Sequence, residues 1–108
     1  MKTVFVDSNV FLRFFTRDDA GQHAHAENLF RKAAEDKVQL VTGPPVLFEV
    51  AWTLHSSYGH SRDETLDVLS AVVACPGLRV LDTEAVVAAI DLARRAGGDF
   101  ADAYVAVS

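Results

Sequence analysis

Apolar and polar residues follow two different periods along this chain, and the changes of period predict its strands and helices. Short apolar runs that end at polar or turn residues indicate strands, whereas apolar residues at i, i+3, i+4 and i+7 indicate helices. Strands are predicted at residues 3–6, 38–42 and 78–81, and helices at residues 10–16, 22–36, 45–58, 61–74, 84–96 and 99–108.

This order of elements predicts an α/β fold in which two helices follow each strand. Strands separated by helical crossovers pair in parallel, so we expect an open parallel sheet flanked by helices. The chain has 108 residues, of which 50% are hydrophobic, and residues 1–108 are predicted to form one domain with a modest core. No apolar window of about eighteen residues is present, so no membrane span is expected.

Residues with special backbone preferences mark several predicted helix ends. Ser61 and Glu64 have the spacing of a capping box. Pro45 suits the first position of the helix after the second strand, and Asp82 or Thr83 is expected to cap the fifth helix.

The charge balance limits the function without deciding it. A formal net charge of -5 argues mildly against an autonomous nucleic-acid binder, which usually carries a basic patch. It does not exclude a nuclease, because a cluster of carboxylates that holds metal ions is itself acidic. The single cysteine, Cys75, cannot form an internal disulfide, which points to a reducing cytoplasm, and its apolar surroundings indicate a small core residue.

Four acidic residues stand where a ligand site is expected. Asp7 follows the first strand directly, at the end of a short apolar run that is typical of a buried strand. In open α/β sheets, ligands bind at the carboxyl ends of the strands. Glu49 lies early in the helix after the second strand, and Asp99 and Asp102 share one face near the start of the last helix.

Each of the later acids has a plainer explanation when it is considered alone. Acidic side chains near a helix start complement the positive end of the helix dipole. Taken as a set, however, carboxylates from separate elements are what Mg²⁺ or Mn²⁺ requires, with positions left for water and a substrate phosphate. The set therefore predicts a divalent-cation site.

Three segments of the chain also resemble the motifs of PIN-domain proteins, in the same order and with similar spacing. They are VFVDSNV around Asp7, PPVLFEVAWTL around Glu49, and GDFADAY around Asp99 and Asp102. Within that family the chain resembles the VapC toxins of bacterial and archaeal toxin–antitoxin pairs. The resemblance implies a PIN-like α/β fold.

The resemblance also implies an activity and a set of residue roles. Asp7, Glu49 and Asp102 would bind Mg²⁺ or Mn²⁺, and Asp99 would be an auxiliary acid. The reaction implied is metal-dependent cleavage of RNA phosphodiester bonds by a metal-activated water. Ser8 or Asn9 would contact the substrate or support the site. The implied partners are an RNA substrate, a cognate VapB-like antitoxin and a second copy of the chain, in the cytoplasm.

Arg13 can be interpreted in more than one way. It lies four residues before Arg17 on one face of the first helix. This face could meet a substrate phosphate or an antitoxin carboxylate, and it could equally be a solvated surface.

The end of the chain departs from the pattern of the VapC proteins, which continue for about one more helix and two strands and supply a fourth acidic residue. The sequence stops at Ser108 within a predicted helix. We therefore expect the last part of the domain to be missing, which would leave the first strand with an exposed edge.

The sequence leaves two alternative interpretations open. A non-catalytic or truncated PIN-like scaffold would bind a protein or RNA without cutting it. Other α/β modules fit less well, since a receiver domain, a haloacid-type phosphatase and a nucleotide-binding fold each require residues that do not follow the first strand here.

Overall fold

A computed structural model describes residues 1–108 and contains three strands and six helices in the predicted order. The elements are β1 (Lys2–Phe5), α1 (Ser8–Thr16), α2 (Ala20–Ala34), β2 (Val38–Thr42), α3 (Pro44–Tyr58), α4 (Arg62–Val73), β3 (Leu78–Val80), α5 (Thr83–Ala96) and α6 (Phe100–Val107).

The strands form one parallel sheet in the order β1-β2-β3, which confirms the predicted α/β class. Leu40 of β2 pairs with Val4 on one side and with Leu78 on the other. Because the strands are parallel, their carboxyl ends lie at the same end of the sheet. The polar residues that follow the strands lie there too.

One face of the sheet is covered by helices and the other is open. Along β2, Leu40 and Thr42 are fully buried, whereas Gln39 is exposed, as the two-residue period of a strand requires. On the open face Phe5 is 59% exposed and Leu81 is 40% exposed. The expectation that the first strand is buried is wrong for most of β1, since its apolar residues divide between the two faces. β1 lies at one side of the sheet without a neighbour beyond it, which agrees with the exposed edge expected for the first strand of this chain.

The covered face belongs to a single apolar core to which all six helices contribute. Leu47 and Leu54 of α3 and Leu66 of α4 are at most 1% exposed, so these helices bury one stripe each. Phe11 of α1 stacks on Phe30 of α2 with ring centroids 5.8 Å apart, which joins the first two helices. None of the six helices combines the length and apolarity that a bilayer span requires.

Most helix ends follow the predicted local chemistry. The capping box is confirmed: the Ser61 hydroxyl accepts from the Glu64 N–H at 3.1 Å, and the Glu64 carboxylate accepts from the Ser61 N–H at 2.9 Å. This second bond, together with the Ser61 side chain, holds the pKa of Glu64 below its ordinary value. Burial raises the pKa of the Cys75 thiol, which is only partly exposed.

The helix starts lie one or two residues from their predicted positions, and α2, α3 and α5 show the local geometry at such starts. α2 begins at Ala20, since Asp19 accepts from the Gln22 N–H at 2.9 Å. α3 begins at Pro44 rather than at Pro45, because Gly43 serves as its N-cap. α5 begins at Thr83 after Asp82, which has a left-handed backbone and makes no side-chain cap bond.

A buried hydrogen bond fixes the chain immediately before Asp7. The Val6 N–H donates to the Val41 carbonyl at 2.8 Å, which continues the β1–β2 pairing past the end of β1. The Thr42 hydroxyl, fully buried, then donates to the Val6 carbonyl at 3.1 Å. These two bonds set the position from which Asp7 leaves the sheet.

Replacing Thr42 by Val should destabilise the protein by about 1–3 kcal/mol, because Val keeps the side-chain shape but leaves a buried carbonyl without its partner. Urea unfolding followed by circular dichroism measures this loss. Thr42→Ser, which retains the hydroxyl, is the matched control and should lose much less. Equal unfolding free energies for Thr42→Val and the wild type would show that the bond is not needed to hold β1.

Candidate metal centre

Asp7 occupies the junction between β1 and α1. Its backbone is extended, with φ -89° and ψ 175°, and its Oδ1 accepts from the Val10 N–H at 3.2 Å, so Asp7 is the N-cap of α1. The side chain is exposed, while Val6 before it is only 1% exposed. A buried strand end therefore presents an exposed carboxylate whose second oxygen makes no hydrogen bond within the chain.

The neighbours of Asp7 lie in two different surroundings. Ser8 is 5% exposed, which suits a supporting contact within the site better than direct contact with RNA. Asn9 and Arg13, four residues apart on one face of α1, line an open hollow of about 220 Å³ together with Tyr58. Interaction with the carboxylate of Asp18 raises the pKa of Tyr58 above its ordinary value of 10.0.

Glu49 lies on the exposed side of α3. Residues 43 and 44, Gly-Pro, turn the chain directly from β2 into the helix, because proline fits the first helical position. Leu47 and Val50 face the core and are fully buried, and Glu49 between them is exposed and makes no hydrogen bond or ion pair within the chain.

Asp99 and Asp102 lie at the start of α6, where Asp99 has a structural task of its own. Asp99 is the N-cap of α6 and its Oδ1 accepts from the Asp102 N–H at 2.8 Å. The helix thus begins at Phe100, one residue later than predicted. Asp102 is in the first turn and exposed, which is a favourable place for a carboxylate near the helix dipole.

An aromatic cluster docks α6 against α3 and so sets the acidic end of α6 beside the helix of Glu49. The Phe48 ring centroid lies 5.5 Å from that of Phe100 and 5.2 Å from that of Tyr104. Such pairs contribute about 0.5–1.5 kcal/mol each beyond their buried area. Because α1 also packs against α3, α3 is the element that connects all three acidic segments.

The structure brings these segments to neighbouring elements but does not gather their carboxylates. No three His, Cys, Asp or Glu side chains lie close enough together to hold a metal ion. Asp7 and Asp99 each direct one carboxylate oxygen to an N–H group of their own helix. The donor chemistry nevertheless fits Mg²⁺ or Mn²⁺, since all four acids are exposed and free of ion pairs.

Two residues that matter for the geometry of this region were not anticipated from the sequence. Thr42 positions the strand end before Asp7, and the only available signal was a hydroxyl residue at the end of an apolar strand. Tyr58 enters the hollow beside Asn9 from the far end of α3. No sequence signal links residues 49 positions apart, because their contact depends on how α3 packs on α1.

The capping role of Asp99 can be separated from any role of its charge. Asparagine caps a helix about as well as aspartate, whereas alanine does not. Asp99→Asn should therefore leave the unfolding free energy nearly unchanged, and Asp99→Ala should lower it by about 1 kcal/mol. Chemical denaturation of both variants provides the measurement. A loss in Asp99→Asn as large as in Asp99→Ala would mean that the charge, rather than the cap bond, stabilises α6.

Comparison with protein families agrees with the arrangement of the motifs. The family model of the PIN domain matches residues 4–108, which is nearly the whole chain. No curated protein and no solved structure is similar enough to give a significant match. PIN domains are generally nucleases and typically use divalent metal ions. The extent of the match shows that this chain belongs to the PIN domain family.

Proposed function

We propose that this protein is a Mg²⁺- or Mn²⁺-dependent endoribonuclease, the toxin of a VapBC-type toxin–antitoxin pair, with residues 1–108 belonging to a single PIN domain. The observation that carries the proposal is the set of three acidic motifs in a chain of this family. Their carboxylates are exposed and free of ion pairs, on segments that meet around α3. Exposed, unpaired oxygens remain available to a cation and to RNA.

Each acidic residue has a distinct role in this proposal. Asp7, Glu49 and Asp102 hold the cation, and Asp99 acts as an auxiliary acid while it caps α6. When bound, the cation supplies Lewis acidity at the scissile phosphate and lowers the pKa of the attacking water. The side chains would bind and orient the cation and the RNA, and none needs to form a covalent bond to the RNA.

The residues of α1 beside Asp7 orient the substrate. Asn9 and Arg13 are four residues apart on one face of α1, within two helical turns of Asp7, so they can reach RNA groups next to the cleaved phosphate. Ser8 is buried and supports the carboxyl end of β1, where Asp7 leaves the sheet. A VapB-like antitoxin and a second copy of the chain are the proposed protein partners, and the cytoplasm is the proposed compartment.

A non-catalytic PIN-like scaffold is the second candidate, and one observation favours it. The absence of any three converging metal ligands is what a binding module without a metal site would show. The two candidates differ in a measurable way. The nuclease requires a cation that brings the carboxylates together, whereas the scaffold binds its partner in the presence of a chelator.

Asp7→Asn and Asp102→Asn should each abolish Mn²⁺-dependent cleavage of single-stranded RNA while the protein stays folded. The fold survives because asparagine at position 7 preserves the cap of α1, and Asp102 makes no side-chain bond. Gel analysis of a labelled RNA with purified variants measures cleavage, and circular dichroism checks folding.

Glu35→Gln is the matched control for that experiment. Glu35 is exposed and lies just before the start of β2, at the end of the sheet opposite to Asp7. Loss of its charge should therefore leave cleavage unchanged. Full Mn²⁺-dependent activity in Asp7→Asn would rule out the proposed mechanism, and equal losses in Glu35→Gln would show a non-specific charge effect.

Binding of Mn²⁺ should raise the melting temperature, since the cation offsets the repulsion among the carboxylates. At a free concentration ten times the Kd, linkage predicts a gain of about 1.4 kcal/mol, or roughly 5 °C for a domain of this size. Differential scanning fluorimetry with and without EDTA measures the shift. The Asp7→Asn/Asp102→Asn double variant should lose it. No shift in the wild type would favour the scaffold, and an equal shift in the double variant would place the metal elsewhere.

A further inference from the structure

A hollow between α1 and α2 lies beside the proposed cleavage site and has a composition unlike the rest of this acidic chain. Its volume is about 370 Å³, within the range of ligand-binding pockets. Eight residues line it, none of them acidic: Val10, Arg13, Gln22, His25, Ala26, Asn28, Leu29 and Lys32. We refer to this hollow as the α1–α2 groove.

We propose that the α1–α2 groove binds backbone phosphates of the RNA, on one side of the bond that is cut. This inference rests on the proposed nuclease function, because it takes RNA as the substrate. It extends that function by identifying Lys32, together with Arg13, as a substrate-positioning residue.

The first support is that the cations of the groove are free. Five of the chain's Lys and Arg side chains are engaged in ion pairs, and neither Arg13 nor Lys32 is among them. The acid on α2, Glu27, lies outside the groove, where Arg31 holds it at 3.1 Å and His23 at 3.6 Å. Two unneutralised charges in a concave surface attract an anion more strongly than cations already paired.

The second support is the position of the groove relative to Asp7. Val10 donates its N–H to the Asp7 carboxylate and also lines the groove, so the groove begins one helical turn from that carboxylate. Arg13 lies six residues beyond Asp7, or about 9 Å along the helix axis. An RNA strand cleaved at Asp7 can therefore place a neighbouring phosphate at Arg13.

The third support concerns the path of the RNA strand past Arg13. Arg13 and Gln22 also border the smaller hollow near Tyr58, where Asp18 and Asp19 are exposed. Those carboxylates repel a phosphate, whereas the groove on the other side offers Lys32. The amides of Gln22 and Asn28 add neutral hydrogen-bond donors, which suit the phosphate and sugar oxygens of RNA.

Binding of a short fluorescein-labelled single-stranded RNA in EDTA, followed by fluorescence anisotropy, tests the groove without cleavage. Lys32→Gln should raise the Kd by roughly three- to tenfold at low salt and lower the slope of log Kd against log salt by about 0.7. Lys32→Arg, which keeps the charge, should bind as the wild type does. With Mn²⁺ present, Lys32→Gln should raise KM and leave kcat nearly unchanged.

Arg79→Gln is the matched control, because Arg79 is an exposed cation without an ion pair on β3, outside the groove. Equal affinity of Lys32→Gln and wild type, or an equal loss in Arg79→Gln, would overturn the proposal. A further contradicting result is that binding of an oligo-glutamate peptide depends on Lys32 whereas RNA binding does not. The groove would then bind an acidic protein segment.

The same data separate this proposal from the proposed function. RNA binding that depends on Lys32 in a protein that cuts no RNA with Mn²⁺ would uphold the groove and reject the nuclease. Cleavage that depends on Asp7 but shows wild-type KM and RNA affinity in Lys32→Gln would uphold the nuclease and reject the groove.

Discussion

The hydrogen bond from the Thr42 hydroxyl to the Val6 carbonyl is the constraint on which the candidate site depends. It joins residues 36 positions apart at 3.1 Å and is inaccessible to water. The donor belongs to the last residue of β2, so one bond fixes both the exit of β1 toward Asp7 and the turn of the chain into α3. The Val6 carbonyl has little freedom to shift, because no water can reach it to take the place of the Thr42 hydroxyl if this bond breaks. This junction, together with the packing of α1 against α3, sets the relative position of Asp7 and Glu49.

Two of the four candidate acids stabilise the fold in addition to their proposed role in cation binding. Asp7 and Asp99 each use one carboxylate oxygen to cap a helix. A carboxylate has two oxygens and several lone pairs, so capping and metal binding are compatible in principle. The cap bond also fixes the side chain next to its own helix start, which reduces the freedom it would lose on binding an ion.

The sequence was a good guide wherever the determining interactions are local. The order of elements and the capping box of Ser61 and Glu64 follow from spacing within a few residues, and the parallel sheet follows from the helical crossovers between the strands. It was a poorer guide wherever distant elements decide. Val4 and Phe5 belong to the same apolar run, but only packing determines which face of β1 the helices cover, and Phe5 is 59% exposed. The partner of Thr42 and the approach of Tyr58 to Asn9 likewise depend on contacts that no local pattern encodes. For the candidate site, the positions of the acids on their elements were predictable, whereas the distances among them were not.

The docking of α6 through the ring of Phe48 has a consequence for how the candidate site would tolerate substitution. Phe48 contacts Phe100 and Tyr104 and immediately precedes Glu49 in the sequence. One apolar side chain therefore links the acid on α3 to the helix that carries Asp102. A smaller residue at position 48 would change the separation of the acids on α3 and α6 without altering any acidic residue.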